Sequence, residues 1–150
     1  MIVLIDGRSG SGKTTLARSL GEKLGMLVLH MDDIYPGWNG LDAGVDIVCR
    51  YLLDSENPRY PRWDWENSRQ GEWIKLPESA HGNFILEGVG CASDPIVKTL
   101  EAQVSKKYFT IFLDAPAELR KTRALQRDPG YAPYWDMWAA QEENLEYTLL

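Results

Sequence analysis

The chain has 150 residues, 44% apolar and 25% charged, with a formal net charge of −6, the composition of one ordinary globular domain long enough to bury a core. The acidic balance argues against a nucleic-acid polymer as the main partner, because such partners demand basic surfaces. Cys49 and Cys91 are too few for a disulfide framework and read as reduced thiols of a cytoplasmic protein, while no apolar run is long enough to span a membrane.

Met1–Asp6 is a short apolar, β-branched run, read as a buried strand rather than a signal peptide. Residues 7 to 14 follow as Gly-Arg-Ser-Gly-Ser-Gly-Lys-Thr, a complete G-x-x-x-x-G-K-[ST] phosphate-binding loop. Gly7, Gly10 and Gly12, with Ser9 and Ser11 between them, let successive backbone N–H groups face phosphate oxygens. Lys13 is expected to reach the β- and γ-phosphates, Thr14 to hold Mg²⁺, and Thr15 to complete the nucleotide-binding set. Leu16, Leu20 and Leu24 then recur four apart, which predicts a helix ending at Gly25.

A second strand is expected over Met26–Met31, running into Asp32 and Asp33. Two carboxylates at a strand end beside a phosphate loop suit a metal or an acceptor hydroxyl, whose proton a carboxylate can accept during phosphoryl transfer. A turn before Pro36-Gly37 would use the same residues for geometry alone. A second helix is expected from Val45 to Leu53. Residues 54 to 82, with Pro58, Pro61 and Pro77, read as irregular. Within them Arg59, Tyr60, Arg62, Trp63, Asp64, Trp65, Arg69 and Trp73 form a cluster that can stack a planar ring or clamp an anion.

The third strand, Phe84–Glu87, ends on an acid placed to orient Mg²⁺, and the fourth, Tyr108–Leu113, ends at Asp114, which suits a helix N-cap. Ligands of open α/β sheets sit outside the carboxyl ends of the strands. Asp6, Asp32, Asp33, Glu87 and Asp114 are therefore expected along one edge. Helices are expected from Asp94-Pro95, from 114–116 to about Arg127, and from Trp135 to the end. Arg120, Arg123 and Arg127 share a helix face before a Pro/Gly/Tyr-rich stretch, where arginines can neutralise charge on a transferred phosphoryl group. His30 and His81 lack metal-ligand spacing, and His30 reads as a core residue.

Taken in order from residue 2 to about 128, these pieces resemble the P-loop kinases of the uridine kinase and nucleoside/nucleotide kinase group. Asp32-Asp33-Ile34-Tyr35 is similar to the family's Asp-x-Phe-Tyr, which implies Asp32 as catalytic base with Asp33 and Tyr35 beside the acceptor. Phe84-Ile85-Leu86-Glu87-Gly88 resembles the strand whose Glu serves magnesium. Arg120, Arg123 and Arg127-Asp128 resemble its arginine lid. Trp63-Asp64-Trp65 stands where uridine kinases carry a Tyr-Asp-Phe type pocket segment, and the resemblance sets Asp42 beside the acid that holds ribose hydroxyls. Arg62 and Arg69 would suit a phosphate-bearing acceptor. The histidine such pockets carry a few residues later is replaced by Asn67, Ser68 and Arg69.

The resemblance implies a three-layer α/β/α fold with a parallel sheet of four or five strands, ordered 2-3-1-4; the fifth strand that such kinases add after the lid is either missing here or lost to truncation. It implies one domain over residues 1–150 with an acceptor-binding insert at about 36–80 and a lid at about 120–136. The expected activity is ATP- and Mg²⁺-dependent phosphoryl transfer to a small-molecule hydroxyl, in first place a nucleoside. A nucleoside monophosphate kinase, a sugar kinase and, in another class, a regulatory ATPase or switch are the alternatives. ATP and a small acceptor are the expected partners; a dimer is left open.

Overall fold

The computed structural model describes residues 1–103, 107–148 and 150. Its centre is a parallel sheet of four strands, β1 (Ile2–Asp6), β2 (Leu27–His30), β5 (Phe84–Glu87) and β6 (Tyr108–Phe112), in the order β2-β5-β1-β6. This is the expected 2-3-1-4 order. The middle pair reads as nearly unbroken apolar runs because both its faces are covered, and each residue of β1 and β5 is buried. The register aligns Ile5 with Glu87 and Glu87 with His30, so the three carboxyl ends finish on one row.

One face of the sheet packs on α1 (Lys13–Leu24): Val3, Ile5 and Ile85 meet Leu16, Ala17 and Leu20. Leu24, the third leucine of the repeat, is exposed, and the helix stops where Gly25 takes a left-handed φ of 64°. The other face carries the larger core. There Ile2, Leu4 and Leu86 pack with Leu41 and Val45 of α2 (Leu41–Ile47), Ile96 and Leu100 of α3 (Asp94–Glu101), and Trp135 and Trp138 of α5 (Trp135–Glu143). Helices on both faces make the three-layer α/β/α architecture. Helix α4 (Ala117–Arg127) follows β6 and leads through a 3₁₀ segment, Pro129–Tyr134, into α5.

Several boundaries differ from expectation. The second helix starts at Leu41, not Val45, and its last part, Val48–Leu52, widens into π geometry. Residues 54–82 are not irregular: β3 (Arg59–Asp64) and β4 (Arg69–Lys75) pair as an antiparallel hairpin. Pro61 hid it, because a strand proline signals an edge or a bulge, and the register does shift between Pro61 and Trp63. The turn is built by Asp64, whose Oδ1 accepts the N–H groups of Glu66 and Asn67, and by Ser68 at φ 49°. Asp114 is not an N-cap. It accepts the Ala115 N–H at 2.8 Å, and Pro116 holds the cap position of α4. The last helix ends at Glu143 rather than running to the terminus. No helix among the described residues is long and apolar enough to cross a membrane.

Candidate active site

The phosphate loop starts where β1 ends. Asp6 is buried, and its carboxylate accepts the N–H groups of Gly7 (2.6 Å), Gly90 (3.1 Å) and Ala92 (2.9 Å). It pins the loop to the turn after β5 and does not face the cavity. Burial raises its affinity for a proton, and those amides pull the other way. Gly10 must be glycine: its φ is 82°, and a Cβ there would run into the main chain of Arg120. Arg120 is itself buried, with Nε donating to Ala115 O (3.0 Å) and Nη1 to Ser9 O (3.4 Å). The first arginine of the stripe is thus a brace beneath the loop.

Lys13 lies in the first turn of α1, buried, with Nζ donating to Arg8 O at 3.0 Å and to Ser11 Oγ at 3.4 Å. Burial lowers the pKa of its ammonium, against the pull of the Glu87 and Asp32 carboxylates. The next residue, Thr14, donates its hydroxyl to Glu87 Oε2 at 2.7 Å. Glu87 reaches His30 on the other side, with Oε1 3.6 Å from Nδ1. Burial pushes Glu87 up, but the contacts from His30 and Thr14 outweigh it and leave the carboxyl below its ordinary value. The same contact with Glu87 raises His30. His30 is therefore a partner of the strand-end acid, not the core residue expected of it. Thr14 and Glu87 present hard oxygen donors, a set that fits Mg²⁺, which takes few protein ligands and completes its shell with phosphates and water.

These groups open into a cavity of about 440 Å³. Ser9, Lys13, Thr14, Asp32, Glu87 and Arg127 line its polar end; Tyr35, Trp38, Trp65, Tyr131 and Trp138 line the other. Asp32 comes from a 3₁₀ turn, Met31–Asp33, that continues β2. Its carboxylate is open to the cavity yet ringed by protein. That desolvation, with Glu87 nearby, raises its pKa, opposed by Lys13 and Arg127. A carboxylate with raised proton affinity beside two cations can accept a hydroxyl proton and balance phosphoryl charge.

The aromatic end is assembled from distant segments. Trp38 stacks on Tyr134 (4.7 Å, 5° between planes) and meets Tyr131 (4.8 Å) and Trp65 (5.2 Å). Trp65 also donates its indole N–H to Asp32 O at 2.8 Å, and Tyr35 donates its hydroxyl to Val89 O at 2.6 Å. Trp38, Tyr131 and Trp138 escaped the sequence reading. The signal available was density alone, four aromatic rings between Tyr131 and Trp138.

The expected site residues divide accordingly. Ser9, Lys13, Thr14, Asp32, Tyr35, Trp65, Glu87 and Arg127 meet at the cavity. Asp33, Asp42, Arg62, Trp63, Asp64, Arg69 and Arg123 are not among its lining residues. Asp42 borders a separate cleft with Ser93, Asp94 and Lys98. Asp64 is occupied by its turn, with Arg69 Nε 3.9 Å away in solvent. Arg62 and Arg123 are exposed. Of the five strand-end acids, only Asp32 and Glu87 line the cavity.

No family model matches the chain. In sequence it is 29% identical to the uridine kinase of Ligilactobacillus salivarius, over 85% of this chain and 66% of that protein. It is 28% identical to the cytidylate kinase of Pyrobaculum calidifontis, over 85% of this chain and 61% of the relative. The chain thus spans slightly less than two thirds of the curated relatives it matches. In fold it is similar to a protein described as a "possible uridine kinase" from Bacillus stearothermophilus, with a TM-score of 0.57 at 20% identity over 98% of this chain and 88% of that one. A gluconokinase from Sinorhizobium meliloti gives a TM-score of 0.57 at 16% identity, over 96% and 74% of the two chains. In its ordered motifs and its 2-3-1-4 parallel sheet the chain is similar to the uridine kinase-like P-loop kinases.

Proposed function

We propose that the chain transfers the γ-phosphoryl group of ATP to a hydroxyl of a small, uncharged molecule, in first place a nucleoside. The observation that carries this reading is that Asp32 shares one cavity with Lys13, Thr14, Glu87 and Arg127. In this reading the loop from Gly7 to Thr15 cradles the phosphates, and Asp32 accepts the acceptor's proton. Lys13 and Arg127 offset charge on the transferring group, while Arg120 braces the loop from below. Thr14 and Glu87 would hold Mg²⁺, which supplies charge neutralisation at the phosphates when bound. Asp33, Asp42, Arg62, Trp63, Asp64, Arg69 and Arg123 lie away from the cavity lining and are given no direct role. We place the hairpin within an acceptor-binding insert and residues 120–136 in a lid, all in one domain. A cytoplasmic setting suits the free Cys49 and Cys91.

The uridine kinase named among the relatives supports the nucleoside, and the cytidylate kinases would support a phosphorylated acceptor. The geometry favours the former, because Arg62 and Arg69 point their charges into solvent rather than the cavity. The test is a panel of nucleosides, nucleoside monophosphates and sugars with ATP and Mg²⁺, read by product mass. A phosphorylated nucleoside is the expected product. A phosphorylated monophosphate would overturn the choice of acceptor. ATP hydrolysis with no acceptor modified would favour a regulatory ATPase.

A further inference from the structure

Helix α5 is built against its own electrostatics. Its last turn carries Glu142 and Glu143, where the helix dipole disfavours negative charge, and none of its last-turn residues is basic. Glu142 is also 5% exposed, which strips an ionised carboxylate of water. Among the described residues no cation forms a salt bridge with it; Lys13, Arg120 and Arg8 act at longer range. The exposed neighbour Glu143 takes the direct ion pair, with Arg8 Nη1 at 2.6 Å, and exposed pairs of this kind contribute little.

What Glu142 touches is the phosphate loop. Its Oε2 accepts the Ser9 N–H at 2.8 Å in a fully buried contact. One residue earlier, Gln141 Oε1 accepts the Leu41 N–H at 3.1 Å and Nε2 donates to Trp38 O at 2.6 Å. Three consecutive side chains therefore hold the nucleotide loop on one side and the segment carrying Trp38 on the other. A buried main-chain amide is costly to leave without an acceptor, so the loop settles where the Ser9 N–H meets one.

We infer that Glu142 is a positioning residue of the nucleotide site: by accepting the Ser9 amide it fixes the phosphate loop in the shape that receives ATP. Gln141 and Glu143 keep α5 seated so that the carboxylate reaches the loop. Glu142 acts through Ser9 and touches no substrate. The inference rests on the reading of residues 7–14 as an ATP site.

The test is calorimetric titration of the full chain with ATP and Mg²⁺. Glu142→Asp keeps the charge but is one methylene short of the amide, and its dissociation constant is expected to rise about tenfold. Glu142→Gln keeps the reach and an acceptor oxygen, and it should recover most of the affinity lost in the Asp variant. A merely structural role would lower the melting temperature and the active fraction without moving the constant. An Asp variant with unchanged affinity overturns the inference. So does a Gln variant as weak as the Asp one, which would assign the effect to charge. Tighter binding by the Asp variant also overturns it, because the carboxylate would then be competing with phosphate. Should the Asp variant not fold, amide exchange on the unmutated chain decides: Ser9 is protected before nucleotide is added, and fast exchange there overturns the inference. An unmutated chain that binds no ATP refutes the reading of the loop itself.

Discussion

The two ends of the cavity are made in opposite ways. At the phosphate end the loop is one stretch of backbone, residues 7 to 14, held from outside by Asp6, Arg120 and Glu142, with Asp32, Glu87 and Arg127 added from other elements. The aromatic end has no backbone of its own. It draws rings from three separated stretches, Trp38, Trp65 and the adjoining pair Tyr131 and Trp138, which touch through their faces and edges. Main-chain hydrogen bonds hold the first along its length, whereas the second has them only at Tyr35, Trp38 and Trp65, and its other rings meet by contacts that can repack. The first end suits a ligand part that never changes; the second suits one that differs between relatives.

That contrast can be broken most directly at the junction. Asp32→Asn should lower the transfer rate by about 10² to 10⁴-fold while ATP still binds, as removal of a general base requires. Steady-state turnover with an acceptor from the panel, set beside calorimetric ATP binding, checks it; near-normal turnover means the base lies elsewhere. Burial raises the Asp32 pKa, so as a base it would accept a proton only above that value. The acidic limb of kcat/KM should therefore fall at a higher pH than the ~3.9 of an ordinary aspartate.

Next in size is the rigid end alone. Gly10→Ala forces a Cβ onto the Arg120 main chain at a left-handed φ. It should cost about 1–3 kcal/mol of stability and abolish measurable ATP binding. Thermal melts and calorimetry read both; an alanine variant that binds ATP normally would show the loop to be as adaptable as the rings. The adaptable end should respond less and differently. Trp38→Ala removes a ring with four aromatic neighbours, each pair being worth about 0.5–1.5 kcal/mol. The acceptor KM is expected to rise about tenfold or more with the ATP KM nearly constant, and a matched rise in both would dissolve the distinction. The smallest effect belongs to Arg62→Ala and Arg69→Ala, which sit outside the cavity and should leave acceptor KM within about twofold. A large rise would bring the hairpin arginines, and a phosphorylated acceptor, back into contention.

The same division governs what could be read from the sequence. The phosphate loop, Asp32 and Glu87 were legible because each is tied to a local pattern: a glycine-rich turn after a strand, or an acid ending an apolar run. The sheet order came from the resemblance to P-loop kinases rather than from the strands themselves. Arg120 and Arg127 were legible as residues, but their opposite destinations were not, since spacing on a helix does not say which turn meets the loop. Trp38 and Trp138 went unseen because nothing local marks a ring as lining a cavity rather than filling a core; most of the ring cluster does pack into the core as well. Asp64 and Arg69 were misplaced with the hairpin, whose existence Pro61 concealed, and Asp42 with α2, whose start was read four residues late. Glu142 carries no motif at all, and only the packing of α5 on the loop reveals it.

The indole of Trp65 bonded to the carbonyl of Asp32 has one more implication. Hairpin tips are ordinarily where a chain can gain or lose residues freely. Here the tip between Asp64 and Arg69 works as a gauge, since its length sets where Trp65 stands and Trp65 holds the backbone of Asp32. Residue pairs added to the two strands below the tip would carry Trp65 outward by about 3.4 Å each and part it from Asp32, so that one bond sets the length of the whole hairpin.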